Sequence, residues 1–347
     1  ISTTPLTGFL IKKPASLHRI LKVTSNYFLG IFMYILMIVL SADIIRLILK
    51  YVFHASWIHS RVAFAIAGAI CIFSVLLISI RGIYHAKHIN VTPYEVTVDK
   101  SAGELDSLKI VFIADTHFGY NAGTIHAKEI VKKINKQNPD LVCIAGDIFD
   151  NEYEAIHEPK KVKKILRKIN SRYGVYACWG NHDLNEEILA GFTFKHKDGD
   201  LSDIKDPRMK KFLEDSNIHI LEDESVLIND QFYVIGRKDA SLTEKIHETR
   251  KAPAQLTEKL DRDKPIIMID HQPKELQELA DAGVDLDLCG HTHNGQTFPG
   301  NFTIKLMWEN PCGLLSKDNM TNITTSGAGV WGPAMRIGTD SEICSIN

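Results

Sequence analysis

The sequence predicts a layered α/β domain that is preceded by an α-helical transmembrane hairpin. Two long apolar runs without charged residues lie near the start, and each is long enough to cross a bilayer as a helix. Further along, short apolar runs typical of buried strands alternate with amphipathic helical patterns, which favours stacked sheets and helices. Five of these strand candidates end in residues of metal-ligand type.

The two apolar runs predict a membrane anchor over residues 1–89. Transmembrane helices are expected at about residues 23–49 and 62–80, with aromatic residues of the connection suited to a membrane interface. Asp43 and Arg46 either form a functional pair within the membrane or mark the end of the first span. A buried helix pair of a soluble protein and a signal peptide are the alternatives, and two uncharged spans fit both poorly.

Basic residues around the hairpin predict its orientation. Six flank it, against three between the spans: Lys12, Lys13, Arg19, Lys22, Arg81 and Lys87, compared with Arg46, Lys50 and Arg61. Because cytoplasmic flanks carry the excess of Lys and Arg, we expect a multi-pass protein of the cell membrane with its catalytic domain in the cytoplasm. The sequence begins with Ile1, so further residues are expected upstream, and additional spans there would change this assignment.

Residues 90–106 are predicted to form a linker and first strand region, and residues 107–347 a catalytic domain. Five apolar runs in that domain stop at polar residues that can bind metals: Asp115 and His117, Asp147 and Asp150, Asn181 to Asp183, His271, and His291 and His293. In α/β folds, ligands bind beyond the carboxyl ends of strands. The five strand ends therefore predict one shared site.

The residue types in these strand ends predict the chemistry of that site. Imidazole, carboxylate and amide oxygen suit manganese, iron or zinc, and no thiolate favours zinc in particular. There are too many ligands for one tetrahedral ion. Two divalent ions roughly 3.5–4 Å apart, sharing a carboxylate, would use them, and such a pair clamps a phosphoryl group and supplies hydroxide. We expect two Mn²⁺ ions, with iron or zinc as alternatives.

The strand-end motifs resemble the signature of the calcineurin-like metallophosphoesterases, in order and across residues 107–347: Asp115-Thr-His117, Gly146-Asp147, Gly180-Asn-His-Asp183, His271 and Gly290-His-Thr-His293. The hairpin and the segments Gly290–Gln296 and Ser326–Pro333 resemble the membrane-anchored bacterial branch, which is similar to phosphoesterases of lipid-sugar pyrophosphates. The resemblance implies an α/β/β/α four-layer sandwich that hydrolyses a phosphoester or pyrophosphate bond.

The resemblance also implies a role for each residue that matches the motifs. One ion would be held by Asp115, His117, Asp147 and His293. Asp147 would bridge to a second ion, which is completed by Asn181, His271 and His291. His182 matches the general acid beside the leaving oxygen, and Asp150 matches the carboxylate that orients this histidine.

Two segments after the last ligand motif are candidates for substrate binding. Residues 327–332 spell G-x-G-x-x-G without the strand–helix context of a dinucleotide site, so we expect a packed loop, with a strand near Met335–Ile337 and with Trp331 or Arg336 touching substrate. Residues 297–308 are unusually apolar and offer Phe298, Met307 and Trp308 to a lipid. The alternative is a core strand that buries Phe302, Ile304 and Leu306.

Composition limits the classes of partner. The formal net charge of −2, without a basic stripe of interleaved aromatics, argues against a nucleic-acid partner. The expected partners are the lipid bilayer and a phosphorylated substrate, which the resemblance extends to a lipid-linked one. A phosphodiesterase acting on a soluble nucleotide and a non-catalytic membrane scaffold with the same fold remain as alternative functions, and the oligomeric state is not predicted.

Overall fold

The computed structural model describes residues 2–189, 192–194 and 205–347. Its α-helices are α1 Thr4–Leu10, α2 Ala15–Tyr51, α3 Arg61–Lys87, α4 Thr124–Lys136, α5 Pro159–Leu166, α6 Pro207–Glu214, α7 Ala240–Lys245, α8 Pro253–Thr257, α9 Leu276–Asp281 and α10 Gly300–Thr303. Its strands are β1 Ile89–Tyr94, β2 Ile110–Ile113, β3 Leu141–Ala145, β4 Val175–Cys178, β5 Glu187–Leu189, β6 Phe192–Phe194, β7 His219–Ile220, β8 Glu224–Ile228, β9 Phe232–Gly236, β10 Ile266–Ile269, β11 Leu286–Cys289, β12 Gly313–Lys317, β13 Met320–Thr324 and β14 Ser341–Ile346.

Two six-stranded sheets carry the domain. The first has the order β1-β14-β2-β3-β4-β7, and within it only the β14–β2 pair is antiparallel. The second has the order β12-β13-β11-β10-β9-β8, with antiparallel pairs at its two edges. Strand β1 lies at the start of the region that was predicted as a linker and first strand, and it pairs with β14 from Ile89 opposite Ser341 to Tyr94 opposite Ile346.

Three clusters of buried side chains separate four layers. Val111 and Val142 of the first sheet pack with Ile130 of α4, on the outer side. The opposite face of that sheet, including Phe112, packs against residues of the second sheet such as Ile267. The other face of the second sheet is covered by α8 and α9. Alternating side chains of buried strands thus serve two cores, and the predicted α/β/β/α sandwich is confirmed.

Helices α2 and α3 are both long and apolar enough to cross a membrane by length and composition, and few of the side chains in their most apolar windows are buried, 11% in α2 and 6% in α3. Each is longer than predicted, because the ends next to the domain continue as helix and dock on it. Asn26 O accepts a hydrogen bond from Ala334 N at 3.2 Å, and Gly82 O accepts one from Arg336 N at 2.9 Å. Helix α2 also continues past Asp43 to Tyr51.

Candidate metal centre

The ligand candidates lie in sharp turns that follow β2, β3, β4, β10 and β11. Five of them have left-handed backbone conformations, with φ between 44° and 71°: Asp115, His117, Asp147, His291 and His293. Such conformations are unfavourable for residues other than glycine and cluster at functional sites, where the surroundings hold them in place. Glycine is required beside them, since a Cβ at Gly290 would lie 2.7 Å from Asp115 Oδ2. The left-handed turns and the close backbone approach at Gly290 therefore bring these side chains together at one site.

Asp115, His117 and His293 form the first cluster of groups that can hold a metal ion. The Nε2 atoms of His117 and His293 are 3.1 Å apart, and Asp115 Oδ1 lies 3.8 Å from His293 Nε2. All three residues are buried. Three ligand atoms from two different turns thus face one small volume.

Asp147, His271 and His291 form the second cluster. His271 Nε2 lies 3.2 Å from Asp147 Oδ2, 3.2 Å from His291 Nδ1 and 3.1 Å from Asn181 Oδ1. His271 Nδ1 is 2.8 Å from the Ala145 carbonyl. A proton on Nδ1 satisfies that carbonyl and leaves the Nε2 lone pair free for a metal.

The donor set fits two divalent cations. Nitrogen atoms of His117 and His293 face each other in one cluster, and those of His271 and His291 do so in the other. Pairs of nitrogen lone pairs at this distance need a proton or a cation between them. Asp147 Oδ2 also lies 3.9 Å from His117 Nε2, so this carboxylate stands between the two clusters.

The ionisable groups of the centre shift one another's pKa values. Burial alone would raise the pKa of Asp147, but the imidazoles of His271 and His182 lower it well below its usual range. Burial opposes protonation of His271, and the Asp147 carboxylate nevertheless raises the pKa of this histidine. Burial raises the pKa of Asp115 to about 6. The pKa values of Asp147 and His271 thus shift in opposite directions, as expected for a carboxylate and an imidazole whose Oδ2 and Nε2 atoms are 3.2 Å apart.

His182 lies at the edge of the centre, where its backbone N–H donates to Asp147 Oδ1 at 2.7 Å. Asp150, the predicted orienting residue, is not the one in contact with the His182 ring: His182 Nδ1 is 2.6 Å from Asn151 Oδ1, and Asp150 Oδ1 lies 3.6 Å from His117 Nδ1. The reason is local, because Asn151 has φ 61° and this left-handed residue directs its own side chain toward His182. Burial lowers the pKa of His182 to about 4.

The two candidates in the 327–337 region behave differently. The Trp331 ring lies 5.6 Å from the His182 ring, so Trp331 borders the centre, and its contact with substrate stays a prediction. Arg336 cannot touch substrate, because it is fully buried and donates to carbonyls of Ser326, Gly329 and His293 at 2.5, 2.8 and 3.2 Å. It holds the turn that carries His293. The expected strand near Met335 is limited to one bridge between Ile337 and Thr297.

Within the segment of residues 297–308, residues 300–306 form helical turns, so the alternative of a core strand that buries Phe302, Ile304 and Leu306 is wrong. Phe302 and Leu306 are exposed rather than buried, as are Phe298 and Met307. Trp308 is the member of this segment that reaches the centre, with its ring 5.2 Å from that of His291 and 5.4 Å from Lys274 Nζ. The sequence could not show this, because Phe302, Ile304 and Leu306 alternate as in a strand.

Asp183 is a residue whose function the motif did not reveal. Its two carboxylate oxygens accept backbone hydrogen bonds from Phe149 and Gly180 at 2.8 and 2.7 Å. It thereby ties the turn after β3 to the turn after β4. Burial raises the pKa of Asp183 to about 7. The sequence shows Asp183 directly after His182, among residues that can bind metals. It does not show which backbone N–H groups the Asp183 carboxylate accepts from.

The profile of the calcineurin-like phosphoesterases matches residues 108–295, more than half of the chain and all of the turns described above. The chain belongs to the calcineurin-like phosphoesterase family. The family predicted from the motifs is thus confirmed, and the family implies divalent metal ions, for which the two clusters are candidates.

Relatives within this family include membrane proteins. An uncharacterized metallophosphoesterase of Campylobacter jejuni is 32% identical over 74% of this chain and 63% of its own length. A transmembrane protein with metallophosphoesterase domain of Danio rerio is 31% identical over 74% of this chain and 56% of its own length. The chain thus spans about 60% of these two relatives. The UDP-2,3-diacylglucosamine pyrophosphatase LpxG of Chlamydia trachomatis is 24% identical, over 74% of this chain and 88% of LpxG.

Proposed function

We propose that this protein is a membrane-anchored phosphoesterase with a dinuclear metal centre, which hydrolyses a phosphoester or pyrophosphate bond. The observation that carries the proposal is the position of Asp147. Its Oδ2 atom is 3.2 Å from His271 Nε2 in one cluster and 3.9 Å from His117 Nε2 in the other. A carboxylate placed between two sets of nitrogen donors is suited to bridge two cations.

The two ions would be held by different ligand sets that share Asp147. One set adds Asp115, His117 and His293, and the other adds Asn181, His271 and His291. Bound divalent ions of manganese, iron or zinc would supply charge stabilisation for the phosphoryl group and a nucleophile derived from water. The buried walls of the site keep these interactions strong by excluding solvent.

His182 is proposed as the general acid, with Asn151 as its positioning residue. In the imidazolium form, the His182 Nδ1–H group would donate to Asn151 Oδ1, and the Nε2–H group would pass its proton to the leaving oxygen, which leaves His182 neutral. The pKa of His182, which burial lowers to about 4, must rise for this role. A bound phosphoryl group brings negative charge beside the imidazole and favours its protonated form.

Metal binding by single variants tests the bridge. Asp147→Ala should lose both ions together, whereas Asn181→Ala should retain the ion of the Asp115 cluster and lose affinity for the other. Asp287→Asn, which alters a buried carboxyl group on β11, is the control and should bind two ions. Elemental analysis after gel filtration in Mn²⁺ gives the stoichiometry. One tightly held ion with full activity in Asp147→Ala would rule out the dinuclear centre.

We propose that the substrate is linked to a lipid. The two candidate membrane helices and the similarity to LpxG support this proposal. That relative is named as a pyrophosphatase of a diacylated sugar nucleotide. We expect the Mn²⁺ form to prefer a lipid pyrophosphate over soluble nucleotides and simple aryl phosphates when all are compared at equal concentration. A higher kcat/KM for a soluble nucleotide diester would favour the alternative of a nucleotide phosphodiesterase.

The orientation is proposed from the basic residues that flank the hairpin. Arg19 and Lys22 at the domain end of α2 contact the domain: Arg19 donates to the Ala155 carbonyl, and Lys22 pairs with Glu152. Positive charge therefore collects where the domain meets the membrane, which favours a cytoplasmic domain. Protease digestion of sealed right-side-out vesicles should spare the domain, and digestion of inverted vesicles should release it.

A further inference from the structure

An exposed apolar surface lies between the membrane helices and the metal centre. It comprises residues 298–307, which include α10 and the turn after it. Phe302, Leu306 and Met307 are 61%, 88% and 73% exposed, and Phe298 is exposed as well. Soluble domains rarely expose such large apolar side chains together unless the surface binds something.

The position of this segment along the helices defines its depth. The Tyr34 hydroxyl on α2 donates to the Phe298 carbonyl at 2.9 Å. From Tyr34 to the end of α2 at Tyr51 the helix rises by roughly 26 Å, and from Arg61 to Gly82 α3 rises by roughly 32 Å. A hydrocarbon core is about 30 Å thick. If the connection between the helices lies at the far surface, Phe298 is within a few ångströms of the near boundary.

The same segment leads directly to the metal centre. It begins five residues after His293, and Trp308 follows it immediately, with its ring 5.2 Å from His291. Gly300 packs against the backbone of Gly295, so α10 is seated on the ligand turn rather than detached from it. A molecule held on this surface would therefore reach the ligand candidates by passing the Trp308 side chain.

The chemistry of the surface selects a lipid leaflet over a protein. Around Tyr34, the neighbouring α2 side chains Phe32, Ile35 and Leu36 are exposed, so the apolar surface of the anchor continues into the segment. Lys305 is exposed beside the apolar side chains and suits anionic headgroups. Because the exposed apolar surface of residues 298–307 continues the apolar surface of α2, we expect both surfaces to contact lipid.

We infer that residues 298–307 insert into the headgroup layer of the leaflet next to the domain and form the entrance by which a lipid phosphoester reaches the ligand turns, an inference that rests on the proposed function. The segment then contacts the membrane independently of the two helices. It also places the bond to be hydrolysed near the headgroup plane, with the acyl chains remaining on the lipid side.

The insertion is tested without catalysis. Leu306→Cys carries an environment-sensitive dye in a background where Cys71 and Cys312, the cysteines that are not buried, are replaced by serine. Ile125→Cys is the matched control, because Ile125 is apolar and 84% exposed at the start of α4. In lipid nanodiscs, we expect spin-labelled lipids to quench the dye at residue 306 and aqueous iodide not to reach it, with the opposite pattern at residue 125.

Two results would overturn the inference. If iodide quenches the dye at residue 306 as strongly as at residue 125, the segment lies in water. If neither quencher reaches residue 306, a protein surface covers it, as in a second copy of this chain. Neither result depends on hydrolysis, so failure of the insertion is distinguishable from failure of the proposed enzymatic function.

A second arm links the surface to substrate entry. Phe302→Glu with Leu306→Glu should lower kcat/KM for a lipid pyrophosphate in nanodiscs by about tenfold or more, because each buried side chain of this size changes an equilibrium constant by at least that factor. Hydrolysis of a soluble aryl phosphate should stay unchanged, and Ile125→Glu should alter neither. Equal losses on both substrates would contradict the entrance, whereas no hydrolysis by the wild type would contradict the proposed function.

Discussion

Helix α3 contacts residues 335–337, and Arg336 in that segment donates to the carbonyl of the ligand candidate His293. Gly82, the residue of α3 at this contact, is therefore expected to influence the metal centre. At Gly82 a Cβ atom would lie 2.5 Å from Ile337 Cδ1, 3.2 Å from Met335 Cβ and 3.3 Å from Arg336 O. Gly68, on the same helix, has nothing within 4 Å of its Cβ position. Gly82→Leu therefore forces side-chain atoms into an occupied contact, and Gly68→Leu adds apolar surface facing lipid.

The magnitude follows from opposing contributions. Replacing glycine in a helix favours the helix by up to about 1 kcal/mol, whereas overpacking typically costs about 1–3 kcal/mol. The strain is relieved if the 335–337 segment moves outward. Because Arg336 in this segment donates to the His293 carbonyl at 3.2 Å, a displacement near 1 Å would reach the first ligand cluster. Misplacement of that size can reduce turnover by roughly 100-fold.

The assay compares Gly82→Leu, Gly68→Leu and the wild type in nanodiscs. Calorimetric titration with Mn²⁺ and kcat on a soluble aryl phosphate are measured for each, with circular dichroism to verify helix content. We expect weaker metal binding and a loss of roughly 10–100-fold in kcat for Gly82→Leu alone. If Gly82→Leu and Gly68→Leu both match the wild type, α3 and the metal centre are not mechanically linked.

Four further substitutions address the centre and the core. His182→Ala should keep its metals and lose roughly 10²–10⁴-fold in kcat on esters with poor leaving groups. Asn151→Ala should show a smaller loss with the same dependence on the leaving group. Equal losses for good and poor leaving groups would count against a role of His182 as the general acid. Arg336→Met should weaken Mn²⁺ binding by roughly 10–100-fold, as loss of an outer partner does, and unchanged titration isotherms would show that His293 needs no such support. Burial raises the pKa of Asp287 to about 7. Between about pH 4 and pH 7, the carboxyl group therefore keeps its proton in the native state and loses it in the unfolded chain. The free energy of unfolding falls as pH rises through this range. Asp287→Asn should therefore raise the unfolding temperature more at pH 8 than at pH 4.5, and equal shifts would refute the assigned pKa.

The strand ends were predictable because their causes are local. The apolar runs at β2, β3, β10 and β11 are short and bounded by glycine or polar residues. They predict strand ends at residues 113, 145, 270 and 288, and the strands end at residues 113, 145, 269 and 289. The first run begins at residue 108, two residues before β2 does. Parallel strands bring their carboxyl ends together, so the Asp and His residues that follow had to meet. Hydrophobic pattern and chain direction were sufficient for this part of the fold.

Long-range and orientational features were not predictable. The pairing of β1 with β14 joins residues far apart in sequence, and no local pattern indicates it. The choice of Asn151 rather than Asp150 as the partner of His182 depends on one left-handed residue. Arg336 is a charged residue in a fully buried position, which is unusual unless its donors are paired. The sequence shows the residue type but not the carbonyl groups that surround it.

The place of β14 has a consequence for biogenesis. This strand is buried along its whole length and lies between β1 and β2. Among the described strands, β1 therefore has no partner in its sheet and β2 is paired on one side alone, with β3, until residues 341–346 arrive. About 250 residues separate β1 from β14, and their synthesis takes roughly 10–50 s at 5–20 residues per second. During this time the nascent domain has open strand edges at β1 and β2. Unpaired strand edges are prone to aggregation, so chaperones are expected to bind the domain during translation.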